Sequence, residues 1–151
     1  MVLSSTLFLA FLSIVMPRLH SQENSDQDIA KEIIALERAA LDRSDKNDVS
    51  RFLELSDPGV SYFDPFLEKA IHGREELAAY YKRVIVGENS ASGEMSNAKV
   101  QVFGDFAVLT FNYRNTTDKD SAARWNTTEV YRRTKNGWRI VHTHWALQSR
   151  S

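Results

Sequence analysis

From Asp28 onward, Ile29, Ile33, Leu36, Ala40 and Leu41 recur at three- and four-residue spacing, with charged residues between them. One face of an α-helix produces that spacing, and Asp26 or Asp28 can cap its start. The pattern breaks at Ser44-Asp45-Lys46-Asn47-Asp48, so the helix is expected to end near Ser44. Phe52, Leu53 and Leu55 mark a short second helix from Asp48 or Ser50, closed by the turn residues Asp57-Pro58-Gly59. Val60 to Asp64 reads as a short strand stopped by Pro65. A loop runs to His72-Gly73. Leu77, Tyr80, Tyr81, Val84 and Ile85 then place a third helix over Arg74 to Val86, with Gly87 as its stop and a loop from Glu88 to Glu94.

In the second half the pattern becomes that of strands. Ala98 to Phe103 and Phe106 to Tyr113 flank Gly104-Asp105, a tight hairpin signal. Ala123 to Arg133 and Trp138 to Gln148 flank Lys135-Asn136-Gly137, a second hairpin. All four segments are rich in the Val, Phe, Tyr, Thr and Trp that strands favour. Helices followed by an antiparallel sheet predict an α+β fold with the helices on one face. No internal repeat is visible.

Ahead of this domain, Val2 to Met16 is apolar apart from Ser and Thr. It is shorter than the roughly 20 residues that cross a bilayer. Pro17 breaks it, and polar residues follow. This reads as a secretory signal, residues 1–21, cleaved near Ser21, so that the mature chain starts near Gln22 and is secreted or periplasmic. A membrane anchor or a buried helix is the alternative, since no Lys or Arg precedes the run and Leu19 is large for its place before the cleavage point. Residues 22–27 are expected to form a polar arm and residues 28–149 the domain.

Composition narrows the partners. The 151 residues carry a net charge of −1, with 42% hydrophobic and 26% charged positions, which suits one soluble domain. There is no basic stripe to recruit nucleic acid or an anionic membrane. The chain has no cysteine, so it has no disulfide frame, thiol nucleophile or cysteine zinc site, and the domain must be stable through its core. Asn115 and Asn126 each open an Asn-x-Thr triplet, which matters only where the source glycosylates.

Three places can carry chemistry. Asp64 ends a mostly apolar strand just before a proline. It is either a solvated turn residue or a carboxylate facing a cavity, where burial makes it a usable base. Glu129 shares one side of its strand with Trp125, Thr127 and Tyr131, an unusual place for an acid unless that side lines something polar. A two-residue turn in the second hairpin is expected to set His142 and His144 beside Glu129, and a three-residue turn to reverse that parity. His142 and His144 share one strand face, but a metal needs a third ligand and no ligand-spacing motif is present, so no metal and no cofactor is expected. Tyr62, Phe63, Phe111, Tyr113, Trp125 and Trp138 are core aromatics by default, some of which can line a cavity.

Tyr62-Phe63-Asp64-Pro65, followed by Gly73 and a helix holding Tyr80-Tyr81, resembles the ketosteroid isomerase-like branch of the nuclear transport factor 2 superfamily. The closing stretch from Glu129 through Asn136-Gly137-Trp138 to His142-Thr143-His144-Trp145 resembles the last hairpin of SnoaL-like domains. It is also similar to the end of the association domain of calcium/calmodulin-dependent protein kinase II. The resemblance implies a cone-shaped fold, three N-terminal helices on a strongly curved antiparallel sheet, with a pocket at the wide end. It implies Asp64 as general base, Glu129 as an acid in the oxyanion hole and Tyr81 as a supporting tyrosine. The chain departs from the isomerases in the first helix, where Leu36 to Ala40 contain no tyrosine to serve as the principal oxyanion donor.

The expected function is a pocket for a small, largely apolar ligand, with isomerase- or hydrolase-like acid–base chemistry open. Asp64, Glu129 and His144 are the candidate catalytic groups, and Tyr62, Tyr81, Phe111, Trp125, Tyr131 and His142 the candidate lining. The alternative is an association module. On it the outer sheet face, with Arg124, Asn126, Thr128, Val130 and Arg132 beside Arg139, Val141, Thr143 and Trp145, holds a homodimer together.

Overall fold

The computed structural model describes residues 18–84, 92–116 and 122–149. Helix α1 spans Arg18–Ser44 and α2 Ser50–Leu55; strand β1 spans Ser56–Phe63 and β2 Ile71–His72; α3 spans Arg74–Val84; and strands β3 to β6 span Ser92–Phe103, Phe106–Thr116, Ala122–Thr134 and Gly137–Leu147. Most of the apolar stretch read as an export signal lies outside the described residues, as do Ile85 to Gly87, where the third helix was expected to end. No helix among the described residues is long and apolar enough to cross a membrane.

α1 ends at Ser44, as its sequence pattern predicts, but starts at Arg18, so residues 22–27 are helical and continue α1 upstream of Asp28. Its buried side chains are Ile33, Glu37, Ala40 and Leu41, one stripe at helical spacing with an acid in it. In α3, Glu75 and Glu76 sit in the first turn and Lys82 and Arg83 in the last, both matching the helix dipole. Gly73, at φ 95°, makes the turn into α3 and donates its N–H to the Val60 carbonyl at 2.7 Å.

The sheet has six strands in the order β2-β1-β6-β5-β4-β3. The sequence predicts an antiparallel sheet, and four of the five pairings are antiparallel, but β1 runs parallel to β6. The sheet is therefore mixed. Asp57-Pro58-Gly59, expected to be a turn, lies inside β1. The β1–β6 register is irregular between Ser56 and Ser61, which is where Pro58, with no N–H to give, is tolerated. Register shifts also occur between Ser96 and Lys99 of β3 and between Val130 and Tyr131 opposite β6. Each such bulge bends its strand and raises the local twist, so the sheet curls around the helices. The core between them is built from Ile33 and Leu41, Leu77 and Tyr80, Leu109 and Phe111, Tyr131, Trp138 and Ile140.

The C-terminal end of α1 is tied to the sheet by Asp45. Its carboxylate accepts the Tyr113 hydroxyl and, at 2.8 Å, the Gly93 N–H. Gly93 is glycine because a Cβ there would lie 1.7 Å from Tyr113 Oη and 2.3 Å from its Cζ.

Candidate functional site

β1 delivers Asp64 to the wall of a cavity of about 220 Å³. Three donors converge on its carboxylate: Tyr62 Oη at 3.2 Å, Tyr80 Oη at short range, and the Phe66 N–H at 2.8 Å onto the other oxygen. Tyr62 comes from the same strand, two residues back and so on the same face, while Tyr80 comes from the buried side of α3. Tyr81 completes a cluster of three rings, with centroids 5.8 Å from Tyr62 and 6.2 Å from Tyr80. Tyr62, Tyr80 and Tyr81 all resist ionisation, first through burial and then through neighbouring groups, among them Asp64. All three are therefore neutral phenols at physiological pH.

Behind Tyr81 lies a compartment closed to solvent. Glu37 from α1 and Glu129 from β5 are both fully buried. Tyr131 Oη donates to Glu37 Oε2 at 2.7 Å, and Thr143 Oγ1 to Glu129 Oε1 at 2.9 Å. Their other oxygens, Glu37 Oε1 and Glu129 Oε2, have no donor among the described residues. The two carboxyls lie within hydrogen-bonding reach of each other, and a proton on one of them supplies the missing donor. Burial is the main cause that raises Glu37 well above its ordinary value, and the charge of Glu129 adds to it. Glu129 is raised by burial and pulled back by hydrogen bonding with Glu37 and Thr143. Burial and mutual repulsion thus raise the pair above the ordinary carboxyl range, Glu37 the more strongly, and favour one proton shared between the two carboxyls. Tyr81, which lines the cavity, is raised by burial first and then by the charges of Glu129, Glu37 and Asp64.

Apart from the two histidines, the residues singled out by sequence fall into three groups. Asp64, Tyr62 and Tyr81 line the cavity. Glu129 and Tyr131 sit in the closed compartment. Phe111 and Trp125 stand one layer back from the cavity, against Trp145, at ring distances of 5.7 and 5.9 Å.

His142 and His144 do not stand beside Glu129. The hairpin turn does have two residues, since Thr134 pairs with Gly137. However, the bulge leaves Val141 without a partner, and beyond it Val130 faces His142, Glu129 faces Thr143 and Thr128 faces His144. One extra residue reverses the parity of the strand. Both histidines therefore lie on the outer face, against Phe63 at 6.1 and 6.0 Å, and His142 Nδ1 is 2.8 Å from Ser61 Oγ. The same reversal corrects the expected outer face: Thr143 is buried and Trp145 packs on Phe111, Tyr113 and Trp125.

Sequence reasoning missed Glu37, Tyr80 and Trp145 as site residues. Glu37 was recoverable, because it falls four residues after Ile33 on the apolar stripe. Tyr80 falls three residues after Leu77 on the buried side of its helix. Trp145 gave no signal, because its side depends on the bulge. Among the described residues there is no group of three side chains able to hold a metal ion.

A helical layer inside a curled six-stranded mixed sheet, with an acid at the end of β1 facing the cavity, defines a nuclear transport factor 2-like fold. Residues 33–147 match the SnoaL-like domain model, and the chain belongs to that family. A candidate ketosteroid isomerase from Parabacteroides distasonis is 42% identical, over 80% of this chain and 89% of that one, with a TM-score of 0.71. The fold is shared with a nuclear transport factor 2-like protein of unknown function from Pseudomonas putida, at 19% identity, 80% and 87% coverage and a TM-score of 0.74. It is shared too with the association domain of calcium/calmodulin-dependent protein kinase II from C. elegans, at 22% identity, 81% and 98% coverage and a TM-score of 0.68. No curated protein matches the chain.

Proposed function

We propose that the protein binds a small, largely apolar ligand in the Asp64 cavity, with Asp64 as the group that meets the ligand's polar end. The observation that carries this reading is the carboxylate itself, fixed by three donors at the wall of a cavity that is aromatic and aliphatic apart from Ser44. Few concave sites combine apolar walls with one oriented charge unless they hold something. At about 220 Å³ the cavity is below the range of roughly 300–1,000 Å³ typical of sites for drug-sized ligands. The ligand is correspondingly small. Asp64 acts as acceptor or as base. Isomerase chemistry of the kind named for the Parabacteroides relative also asks for a donor opposite the base. Here Tyr62 and Tyr80 give their protons to Asp64, and Glu37 and Glu129 are outside the cavity lining, which favours binding over that reaction. The apolar stretch Val2 to Met16 supports export, to be checked by N-terminal sequencing for a start near Gln22.

The test is a fragment screen of the mature protein followed by amide NMR. Fragments are expected to perturb the amides of Tyr62, Phe66 and Val84 and to lose affinity in Asp64→Asn. A screen in which no fragment of any charge moves those amides overturns the proposal.

A second reading concerns the outer sheet face. Phe63 is 41% exposed there, between His142 and His144, and one structure that shares the fold is an association domain by name. Self-association through this face as a homodimer is the corresponding proposal. Sedimentation of Phe63→Ser as a monomer beside a dimeric parent supports it, and a monomeric parent at micromolar concentration removes it.

A further inference from the structure

The cavity wall states what kind of polar end the ligand carries. Six rings line it, those of Phe52, Tyr62, Phe66, Tyr80, Tyr81 and Trp145, and the one charged side chain among them is Asp64. Among the described residues, no lysine, arginine or histidine is in the lining. The phenol protons of Tyr62 and Tyr80 are both engaged by Asp64, so these two side chains offer a ligand their ring faces and oxygen lone pairs and no donor. Ring faces carry negative charge density, and a carboxylate framed by them is the arrangement that holds organic cations. The outer side of Tyr80 already serves a cation, since the Arg83 guanidinium stands 5.6 Å from the ring centroid.

Other polar ends fit less well. An anion would enter a site whose one charged side chain, Asp64, is itself acidic. A neutral carbonyl could take a proton from Tyr81 or Ser44, but it would leave the Asp64 carboxylate facing it with no opposite charge. A nitrogen cation meets Asp64 directly and has a ring on most sides.

We infer that the ligand of this cavity is a small organic cation, an alkylammonium or quaternary ammonium compound, with Asp64 as its counter-ion and the six rings as its cage. The inference rests on the reading of the Asp64 cavity as the ligand site and takes Asp64 as anchor there, not as base.

Calorimetric titration of the mature protein with tetramethylammonium and choline, beside the uncharged isostere 3,3-dimethylbutan-1-ol and the anion 3,3-dimethylbutanoate, decides the matter. The cations are expected to bind at least about tenfold more tightly than the alcohol, and the anion not at all. Phe66 is 71% exposed, so Phe66→Ala removes one wall of the cage without a cost to the core, and a loss of about fivefold in choline affinity is expected. Asp64→Asn is expected to level choline and the alcohol. Equal binding of choline and the alcohol to the parent protein, or no binding of either cation at millimolar concentration, overturns the cation. The fragment screen speaks separately for the cavity, since neutral fragments that move the Tyr62 and Val84 amides keep the ligand site while the cation fails.

Discussion

Glu37 on the first helix and Glu129 on the fifth strand face each other in a compartment from which solvent is absent. Two ionised carboxyls cannot coexist there at low cost, so one proton stays with the pair. Both groups titrate above their unfolded value of 4.5. The native state therefore binds more protons than the unfolded chain from about pH 4.5 upward, and stability falls as pH rises through that window toward the raised values. Glu37→Gln keeps a donor for Glu129 and an acceptor for Tyr131 while removing the shared proton. Its stability is expected to exceed that of the parent by on the order of 1–3 kcal/mol at about pH 8 and to match it near pH 5. Urea denaturation of both proteins at both pH values measures this, and a stability difference between Glu37→Gln and the parent that is the same at pH 5 and pH 8 would show that the pair does not titrate as described.

Gly93 tests the anchor at the end of α1. Gly93→Ala drives a methyl group into the Tyr113 ring and displaces the N–H given to Asp45. A loss of about 2–3 kcal/mol is expected, read as a fall in melting temperature. Tyr113→Phe in the same chain gives little relief, because Cζ at 2.3 Å clashes as well as the hydroxyl. A melting temperature unchanged by Gly93→Ala contradicts the close approach.

His142 responds in the opposite direction to the glutamates. Burial, and next the neighbouring His144, lower its value below 6.5. Its neutral form contributes stability that is complete above pH 6.5 and is lost as pH falls from there toward the folded value. NMR titration of the imidazole C–H signals is expected to show a midpoint below 6.5 that moves upward in His144→Gln. A midpoint above 6.5, or one indifferent to His144, contradicts the cause assigned.

The bulge at Val141 makes a prediction about register. Deleting Val141 joins the Tyr131–Ile140 pair directly to the Val130–His142 pair, with no change of face on either side. The deletion variant is expected to fold, to keep Glu129 opposite Thr143, and to lose several degrees of melting temperature as the local curl relaxes. Cross-strand NOEs between Val130 and His142 check it. Appearance of His142 opposite Glu129 would mean that the strand had slipped instead.

The patterns that repeat were legible in the sequence. The three helices follow from apolar spacing, and both hairpins from their Gly and Asn turn residues, since each signal is local. The inward side of β5, with Thr127, Glu129 and Tyr131 together, also follows from alternation alone. The histidines of β6 did not, because their side depends on a single unpaired residue whose position no propensity marks. The parallel contact of β1 with β6 was hidden for a related reason. Strands far apart in sequence pair through packing, and local composition carries no trace of the partner. Glu37 was a failure of a different kind: its position on the apolar stripe was visible, but its partner lies on β5, so only the folded chain shows why an acid is tolerated there.

The parallel pairing of β1 with β6 also governs when the molecule can be assembled. The strand that leads to Asp64 has the two-residue β2 as its early neighbour, but its long partner is β6, the last of the described strands, and the third helix rides on that same early strand. Until β6 exists, the β3–β5 meander can pair with itself, but the ligand cavity has no floor. Maturation therefore waits for β6, and a chain cut before that strand would leave an aromatic edge exposed for chaperones or aggregation to claim.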